Sequence, residues 1–403
     1  MGYNSCNRGV GTLFDKVCIL VMDSVGVGAM PDAPSFGDEG SNTIAHVADA
    51  VGGIHLPNLA RLGLGHLTPI KGTDPATEVR GAHGKMNEAS AGKDTITGHW
   101  EMAGVPTFTA FTVFSEGFPA EIIEPFVQAT GRGILGNHAA SGTVIIEELG
   151  PEHIRTGKWI VYTSADSVFQ IAAHEDVIPL EELYAACKIA RDICDKHQIA
   201  RIIARPFIGE AGSFQRTYNR HDYSMLPHQP TLCDELTKAG IPLIGIGKIA
   251  DIFAHQGVEQ NVHTEGNTDG IAKTIAETKS LDHGVVFCNL VDFDMVYGHR
   301  RNPTGYATAL LELDAAIPEL VDALGDNGLL LLSADHGCDP THMAHTDHTR
   351  EYVPILCGSR AFKGGVDLGT RETFADLGQT VAANFGVSVP TGTSFLNDLR
   401  QVL

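Results

Sequence analysis

The sequence is poor in positive charge. It contains 28 Lys and Arg against 49 Asp and Glu, which gives a formal net charge of −21 over 403 residues. Proteins that bind nucleic acid or anionic membranes present a basic surface, so this imbalance argues against both partners. An anionic small substrate is still compatible with the composition, because a metal ion or a local arginine cluster can reverse the field within one pocket.

Long apolar runs and targeting signals are also missing. No run approaches the roughly 20 residues that a membrane-spanning helix needs, and the opening "MGYNSCNRGVGTLFDK" lacks the apolar core of a signal peptide. Cys6 stands where the myristoylation pattern requires Ser or Thr. The eight cysteines form no Cys-X-X-Cys pair, which favours buried free thiols in a reducing compartment. We therefore expect a cytoplasmic protein.

Short apolar, β-branched runs recur along the chain and predict strands. Among them are "KVCILVM", "WIVYT", "GVVFCNLV" and "GLLLLSA". Because these runs are apolar throughout, they fit strands covered on both faces, as in a parallel or mixed sheet. Helix-like stretches such as "LEELYAACKIARDICDKH" alternate with them, which favours a layered α/β fold. At 403 residues the chain exceeds what one core usually serves, so two domains are expected.

Polar residues follow three of these predicted strands. Asp23 follows the first, Asp292 and Asp294 follow "FCNLV", and Asp335 and His336 follow "LLLLSA". In open α/β sheets, ligands bind outside the carboxyl ends of the strands. A single Asp after a strand is usually a turn former or a helix cap, whereas three such ends accompanied by histidines predict one shared site.

The densest signal is "SADHGCDPTHMAHTDHTRE", residues 333–351, which has four histidines and three aspartates. In "NLVDFDMVYGHRR", Asp292 and Asp294 would share a side if extended, and His299 needs a loop to reach them because a spacing of five is not a helix-face spacing. Mixed carboxylate and imidazole ligands suit Mn²⁺, Zn²⁺ or Fe²⁺. The candidates are numerous enough for two metals, which together clamp the oxygens in phosphoryl transfer. The alternative is a polar, solvated loop.

The segment "GKDTITGHWE", residues 92–101, offers two threonines and little to bury. Metal coordination can activate a hydroxyl that is otherwise a poor nucleophile. A plain turn or cap is the competing interpretation. Taken alone, the residues do not distinguish Thr95 from Thr97.

Residues 110–230 lack the Asp/His clusters that flank them and predict an inserted domain. Arginines bind phosphate oxygens in a bidentate way, and hydroxyl or carboxylate side chains such as Ser164 and Asp166 could bind sugar hydroxyls. A phosphorylated, hydroxylated substrate is therefore favoured. The cations concerned are Arg205, Arg216, Arg220 and, nearby, Lys248.

Taken together, these segments resemble the phosphopentomutases of the alkaline-phosphatase-like metalloenzyme superfamily. The matching stretches include "VMDSVGVGAMPDA", "GKDTITGHWEMAG", "YTSADSVFQIAAHE", "NLVDFDMVYGHRR", "ADHGCDPT" and "TDHTREYVPIL", in order over nearly the whole chain. The resemblance implies an α/β, alkaline-phosphatase-like layered core with a mostly parallel sheet, formed by residues 1–109 and 231–403. It also implies an inserted α+β cap domain at 110–230 that binds substrate.

The resemblance further implies two Mn²⁺ ions and a set of site residues, carried over by motif. One ion would take Asp23, Thr95, Asp335 and His336. The other would take Asp294, His299 and His348. Thr95, which follows Lys-Asp, would be the phosphorylated nucleophile. The implied substrate contacts are Ser164, Asp166, Arg205, Arg220, His221 and Lys248.

The reaction implied is that of an isomerase in nucleoside and pentose phosphate metabolism. It interconverts the 1-phosphate and the 5-phosphate of ribose or 2-deoxyribose through phosphothreonine 95 and a 1,5-bisphosphate. A sugar bisphosphate such as glucose 1,6-bisphosphate would prime the enzyme. A closing cap is expected to exclude water. The oligomeric state stays open, a monomer included.

One departure and two rival functions accompany this interpretation. The loop before "TDHTRE" has one extra residue relative to the family pattern and carries His342 and His345, either as a solvated variation or as an altered metal environment. A metal-dependent phosphatase or phosphodiesterase would share the core but lack a matching cap. A catalytically silent metal- or sugar-phosphate-binding protein would not need the threonine together with all the Asp/His candidates.

Overall fold

The structure is a computed structural model that describes residues 12–164 and 167–403. The chain divides into two compact units, one formed by the chain up to Thr109 together with Pro227–Leu403, and the other by Ala110–Leu226. The second unit thus ends at residue 226, against 230 in the sequence prediction. Asp166, a predicted substrate contact, lies outside the described residues. Seven cysteines are described, and all are free and buried.

The strands found in the described ranges are numbered along the chain. They are β1 (Lys16–Met22), β2 (Ala82–Met86), β3 (Ile134–Ala139), β4 (Trp159–Thr163), β5 (Val168–His174), β6 (Arg201–Ile208), β7 (Gln215–Arg216), β8 (His221–Ser224), β9 (Leu243–Ile246), β10 (Gln260–Val262), β11 (Gly284–Leu290), β12 (Gly328–Ser333), β13 (Val353–Gly358) and β14 (Val366–Arg371).

The α-helices of the same ranges are numbered in the same way. They are α1 (Thr43–Ala50), α2 (Pro57–Leu62), α3 (Thr95–Met102), α4 (Ala120–Thr130), α5 (Gly142–Thr156), α6 (Leu180–Cys194), α7 (Leu232–Lys238), α8 (Ile249–Ile252), α9 (Asn267–Ser280), α10 (Pro303–Leu324), α11 (Ala375–Asn384) and α12 (Leu396–Arg400). A π-helical turn spans Phe293–Gly298. Among these described helices, none is both long and apolar enough to cross a bilayer.

The first unit is built on an eight-stranded sheet in the order β10-β9-β11-β1-β12-β13-β2-β14. Strands β10, β9, β11, β1 and β12 run parallel, whereas β13 is antiparallel to both of its neighbours. Every residue of β11 and β12 is buried, as expected for strands covered on both faces. The runs "GVVFCNLV" and "GLLLLSA" therefore are the central strands that their uniform apolarity predicts.

The arrangement of three neighbouring strands determines where polar residues can meet. Strands β11, β1 and β12 are adjacent and parallel, with Met22 paired to Leu290 and Val21 paired to Ser333. Their carboxyl ends therefore reach the same edge of the sheet at the same level. The segments that follow the three strands therefore begin side by side. A shared site at this edge follows from the register.

The second unit has a six-stranded mixed sheet of its own, in the order β3-β4-β5-β6-β7, with β8 also paired to β6. Helices α4 and α6 cover one hydrophobic cluster of this sheet, which includes Phe126, Trp159 and Phe169. A second cluster, which includes Ile145, Tyr162 and Phe207, packs with α5. The unit therefore has its own core, as an inserted domain requires.

Helix α3 is joined to the loops around it through Glu101, which is fully buried. Its carboxylate accepts hydrogen bonds from the backbone N–H groups of Ala89 at 2.8 Å, Ser90 at 2.7 Å and Phe374 at 3.0 Å. It also accepts from the hydroxyls of Ser90 and of Thr373. A carboxylate that satisfies five donors, four of them buried, replaces the water that those groups would otherwise bind. Glu101, for which the sequence suggested no role, thus fixes α3 to the loop after β2 and to the start of α11.

We expect Glu101→Ala to lower the free energy of unfolding by about 3 kcal/mol or more, because several buried donors lose their acceptor at once. Urea unfolding followed by circular dichroism measures the change. Glu372→Ala is the matched control, since Glu372 is exposed and close in sequence to two of the same donors. The control should stay within about 0.5 kcal/mol of the parent. An equal loss in both variants would contradict the role given to Glu101.

Candidate metal centre

The first cluster of candidate ligands comprises Asp23, Asp335 and His336, all buried where β1 and β12 end. The Nε2 atom of His336 lies 3.3 Å from Oδ2 of Asp335 and 3.5 Å from Oδ1 of Asp23. The N–H of Ser24 donates to Oδ1 of Asp335 at 3.1 Å and so connects the two strand ends. Ser24 has a φ of 76°, in the left-handed region, which turns the chain sharply after Asp23.

The second cluster contains Asp294, His299 and His348. Asp294 and His299 lie five residues apart, a spacing that no α-helix face brings together. The chain after β11 forms a π-helical turn instead, and the N–H of His299 donates to the carbonyl of Asp294 at 3.1 Å. This five-residue hydrogen-bond pattern places the two side chains side by side, with His299 Nε2 3.3 Å from Asp294 Oδ2.

Asp292 does not join Asp294. The two would share a side only in an extended segment, but the segment is helical. The Oδ2 of Asp292 accepts the N–H of Asn267 at 2.7 Å, and Asp292 N–H donates to Asn267 Oδ1 at 2.9 Å. Asp292 therefore fixes the start of α9, and only Asp294 faces the cluster.

The three candidate histidines present the same nitrogen to the carboxylates. Nδ1 donates to a backbone carbonyl in each case: Gly337 at 3.1 Å for His336, Thr346 at 2.6 Å for His299, and Lys93 at 2.9 Å for His348. A carbonyl can only accept, so the proton is on Nδ1, and the lone pair of Nε2 points toward the carboxylates. This arrangement is the one that metal-binding histidines adopt.

The two clusters lie next to each other. The rings of His336 and His348 stack with centroids 3.8 Å apart, and Nε2 of His348 lies 3.5 Å from Oδ1 of Asp294 and 3.2 Å from Nε2 of His299. Ligand atoms bound to one ion at about 2.1 Å are themselves about 3.4 Å apart in a tetrahedral site. The spacings of both clusters therefore fit ligands that surround an ion.

The charges of the clusters also require a cation. Burial, together with the neighbouring carboxylates of Asp335 and Asp294, raises the pKa of Asp23 well above its usual range. Burial raises the pKa of Asp335, but the neighbouring His336 and His99 outweigh burial and lower this pKa to about 2. Oδ1 of Asp23, Oδ1 of Asp294 and Oδ2 of Asp335 are buried and have no hydrogen-bond donor among the described residues. Such oxygens are the ligands that a divalent ion takes.

The imidazoles would otherwise have to carry the compensating charge. Burial opposes protonation of His348, but Asp294 and Asp347 raise its pKa to about 10. In contrast, burial and His348 lower the pKa of His336 to about 4. A metal ion binds the same Nε2 lone pair that the proton would occupy, so metal binding displaces the proton from His348.

Helix α3 brings Thr95 to the first cluster. Asp94 caps the helix and accepts the N–H groups of Ile96 and Thr97, both at 3.1 Å. Thr95 is the first helical residue, and its Oγ1 lies 3.2 Å from Nε2 of His336. The hydroxyl of Thr97 is buried and donates to Oδ2 of Asp94 at 2.5 Å. The geometry thus separates the two threonines, because one faces the cluster and the other completes the cap.

His99 supports the first cluster, although the sequence predicted no role for it. Its Nδ1 lies 2.8 Å from the carbonyl of Thr95 and 3.2 Å from Oδ2 of Asp335. Its Nε2 accepts from the amide of Asn289 at 3.3 Å, and that amide also donates to Oδ2 of Asp23 at 2.8 Å. The position of His99 four residues after Thr95, on the same helix face, is the signal that could have identified it.

The predicted substrate contacts lie in both units. Lys248 belongs to the first unit, immediately before α8, and its charge lowers the pKa of Asp23 against the larger effects of burial and the neighbouring carboxylates. In the second unit, β6 and β8 pair with Ala204 opposite His221, which places Arg205 and Arg220 next to each other. Ser164 directly follows β4.

The arginines of the second unit surround a buried tyrosine. Burial raises the pKa of Tyr162, whereas the charges of Arg205, Arg216 and Arg220 oppose that shift. The Tyr162 hydroxyl has no hydrogen-bond partner among the described residues. Burial, followed by repulsion from Arg220, lowers the pKa of Arg205. Cations that repel one another around a buried hydroxyl form an environment suited to an anion.

Comparison with known proteins identifies the family. The model of the Metalloenzyme superfamily matches residues 15–389. The chain is 57% identical over 387 residues to the phosphopentomutase of Anaeromyxobacter dehalogenans (strain 2CP-C), which covers 96% of this chain and 98% of that protein. The chain belongs to the phosphopentomutase family. The family member from Thermotoga petrophila is 55% identical over 386 residues, 95% of this chain and 99% of that protein.

A solved structure agrees with this assignment at the level of the fold. The PH0037 protein from Pyrococcus horikoshii is 15% identical, has a TM-score of 0.50 and covers 94% of this chain and 100% of that chain. The predicted α/β fold and the predicted family are confirmed. As a member of the phosphopentomutase family, the chain is an isomerase, and as a member of the metalloenzyme superfamily it binds divalent metal.

We expect removal of divalent metal by a chelator to lower the thermal unfolding midpoint, because the buried carboxylates then repel one another. Added Mn²⁺ should restore the midpoint, with a stabilisation of about 2.7 kcal/mol at 100 times the dissociation constant. Differential scanning calorimetry measures both steps.

Two aspartate variants complete that experiment. Asp294→Asn should reduce the Mn²⁺-dependent shift. Asp314→Asn should lower the starting midpoint but keep the shift, since Asp314 is also buried yet accepts the N–H groups of Asn58 and Leu59 at the start of α2. An undiminished shift in Asp294→Asn would exclude Asp294 as a ligand.

Proposed function

We propose that this protein interconverts the 1-phosphate and the 5-phosphate of ribose and 2-deoxyribose, with Thr95 as the residue that carries the phosphoryl group between them. The relatives named phosphopentomutase support the reaction class. The observation that carries the choice of residue is the position of the Thr95 hydroxyl, 3.2 Å from Nε2 of His336, while Thr97 is bonded to Asp94.

We propose Mn²⁺ at both clusters. One ion would be held by Asp23, Thr95, Asp335 and His336, and the other by Asp294, His299 and His348. When bound, such ions supply Lewis-acid stabilisation of the charge that develops on the transferred phosphoryl oxygens. The orphaned carboxylate oxygens and the inward Nε2 lone pairs support this assignment.

The chain's own residues account for transfer in both directions. In the phosphorylated enzyme, the bond between phosphorus and Thr95 Oγ1 breaks and a bond to a hydroxyl oxygen of the pentose monophosphate forms, while the proton of that hydroxyl passes to Thr95 Oγ1. The sugar then carries phosphate at positions 1 and 5. Return of the other phosphate to Thr95 restores the phosphoenzyme and releases the isomer. A sugar bisphosphate such as glucose 1,6-bisphosphate phosphorylates Thr95 at the start and leaves as a monophosphate.

The N-terminus of α3 favours the phosphorylated state of Thr95. The first N–H groups of a helix and its dipole attract negative charge. Asp94 satisfies the N–H groups of Ile96 and Thr97, so the helix start is rigid. His99 does not bind the phosphate, since its Nδ1 is directed to the Thr95 carbonyl and to Asp335. Thr95 is thus attached to an ordered helix end beside the clusters.

Thr95→Ala should abolish phosphoenzyme formation and reduce mutase turnover by more than about 10³-fold, as expected when a nucleophile is removed. Peptide mass spectrometry after incubation with glucose 1,6-bisphosphate locates the phosphate, and conversion of ribose 5-phosphate to ribose 1-phosphate reports turnover. Thr97→Ala is the control and should retain both, with some loss from the weakened cap. Phosphate on Thr97, or full activity in Thr95→Ala, would refute the assignment.

The rival phosphatase or phosphodiesterase function has a direct test. Incubation of the primed protein with ribose 5-phosphate should produce ribose 1-phosphate. Release of free phosphate without ribose 1-phosphate would show a hydrolase. A catalytically silent binding protein would produce neither compound.

In the second unit we propose that Arg205 binds the phosphate of the substrate, together with Arg220, Ser164, Asp166 and His221. Arg205 is half-buried, and its Nε donates to Oε1 of Gln170 at 3.1 Å, which orients the guanidinium. Repulsion between Arg205 and Arg220 is relieved when an anion binds between such cations. Lys248 of the first unit is the further proposed contact.

Arg205→Met should raise the KM for ribose 5-phosphate by about 10- to 100-fold with a smaller effect on kcat, because the bond to a non-reacting phosphate is made in the ground state and in the transition state alike. Steady-state kinetics measures the change. Arg155→Met is the control, since Arg155 also lies in the second unit but is exposed and pairs with Glu152. An unchanged KM in Arg205→Met would contradict this contact.

A further inference from the structure

Lys93 lies two residues before Thr95 and contacts neither candidate cluster through a ligand atom. Its Nζ donates to Oδ2 of Asp38 at 2.9 Å and to the backbone carbonyl of His348 at 2.5 Å. A third acceptor, Oδ2 of Asp347, is 4.0 Å away, and only 14% of the lysine side chain is exposed. The ammonium group is thus directed inward, unlike a surface lysine.

The same lysine contacts His348 a second time through its backbone. The carbonyl of Lys93 accepts the Nδ1–H of His348 at 2.9 Å. The side chain of Lys93 therefore fixes the backbone of His348, and the backbone of Lys93 fixes the ring of His348. This reciprocal pair determines which nitrogen of His348 faces Asp294, and it connects that histidine to the segment immediately before Thr95 and α3.

Asp38 is the anchor of the pair. It is fully buried and belongs to a turn-rich segment that gave no functional signal in the sequence. Its Oδ2 accepts from Lys93 and from the N–H of Arg350 at 2.8 Å, and its Oδ1 lies 2.7 Å from Nε2 of His345. Removing one partner from a buried ion pair leaves the other charge uncompensated. Lys93 is therefore held in place by a carboxylate that is itself fixed by burial and by further hydrogen bonds.

Asp38, His342 and His345 could also be interpreted as a third metal site, because their ligand atoms lie within 4.8 Å of one another. Two observations favour a hydrogen-bonded group instead. The 2.7 Å between His345 Nε2 and Asp38 Oδ1 is a hydrogen-bond length, shorter than the 3.2–3.5 Å between ligand atoms of the other clusters. In addition, His345 Nδ1 accepts the N–H of Asp347 at 3.2 Å, so Nε2 carries the proton that it donates to Asp38.

We propose that Lys93, anchored by Asp38 and His345, is a positioning residue. It sets the affinity of the second cluster for its metal by orienting His348, and it holds that cluster in position relative to Thr95. The consequence for catalysis rests on the proposed function, whereas the consequence for metal binding does not. His345 is accordingly part of this support and not a solvated loop residue.

The test is a titration of the metal-free full chain with Mn²⁺ alone, for the parent and for Lys93→Met. Electron paramagnetic resonance measures the concentration of free Mn²⁺ at each step. Loss of an outer partner of a metal-binding histidine typically weakens binding by about 10- to 100-fold. We expect Lys93→Met to weaken one of two Mn²⁺ sites by that factor and to lower kcat for ribose 5-phosphate with little change in KM. Lys93→Arg should recover part of both losses, because the guanidinium keeps a charge for Asp38.

Lys273→Met is the matched control. Lys273 also donates to one carboxylate, Asp269, and to one backbone carbonyl, that of His263, but it lies on α9 away from the clusters. It should leave both Mn²⁺ affinities unchanged. A Lys93→Met protein that unfolds at lower temperature yet keeps parental Mn²⁺ affinity and kcat would overturn the proposal, since Lys93 would then be structural only.

His345→Gln distinguishes the two interpretations of Asp38. Glutamine can still donate to Asp38, so two Mn²⁺ ions should bind with nearly parental affinity. Three ions in the parent and two in His345→Gln would establish the third metal site and overturn the hydrogen-bonded anchor. If Lys93→Met weakens Mn²⁺ binding but the parent shows no mutase activity, the proposed function fails while the positioning role of Lys93 is supported.

Discussion

Repulsion between buried carboxylates at one edge of the first sheet is the constraint on which the candidate site depends. Three adjacent parallel strands end at the same level of the sheet. Asp23, Asp294 and Asp335 follow these strands in the sequence. Burial makes the charges of these carboxylates unfavourable. The nearby imidazoles donate hydrogen bonds from Nδ1 to backbone carbonyls. The remaining lone pairs all point inward, so the arrangement is stable as a charged site only with cations inside it.

Helix α3 connects that electrostatic requirement to the rest of the unit. Its first residue, Thr95, faces the clusters, and its second turn carries both His99, against Asp335, and Glu101, which reaches the surrounding loops. One short helix thus carries the proposed nucleophile, an imidazole beside a candidate ligand and a structural anchor. The helix also buries the apolar side chains of Ile96, Trp100 and Met102, so packing and hydrogen bonds to buried polar groups fix it together.

The fold was largely predictable from local pattern, and the site only in part. Uniformly apolar runs identified the central strands because both faces of β11 and β12 are buried. The pairing of Asp294 with His299 was not predictable, since it needs a π-helical turn that no propensity signals. The family resemblance selected Thr95, and only the three-dimensional position of the Thr97 hydroxyl against Asp94 gives a physical reason for that choice. Asp38 had no signal at all, because its side-chain partners lie 55 to 312 residues away in sequence.

The second unit gathers positive charge at one place. In a chain with a net charge of −21, Arg205, Arg216 and Arg220 approach one buried hydroxyl, that of Tyr162, closely enough to shift its pKa against the effect of burial. Asp222 pairs with Arg220 through both oxygens, at 2.7 and 2.6 Å, so the cluster is only partly neutralised. The first unit concentrates anionic ligands that require cations, and the second concentrates cations that require an anion. A phosphorylated sugar satisfies the second requirement through its phosphate, and divalent ions satisfy the first. The local cluster of arginines in the second unit thus favours a phosphate ester over a neutral sugar as its ligand.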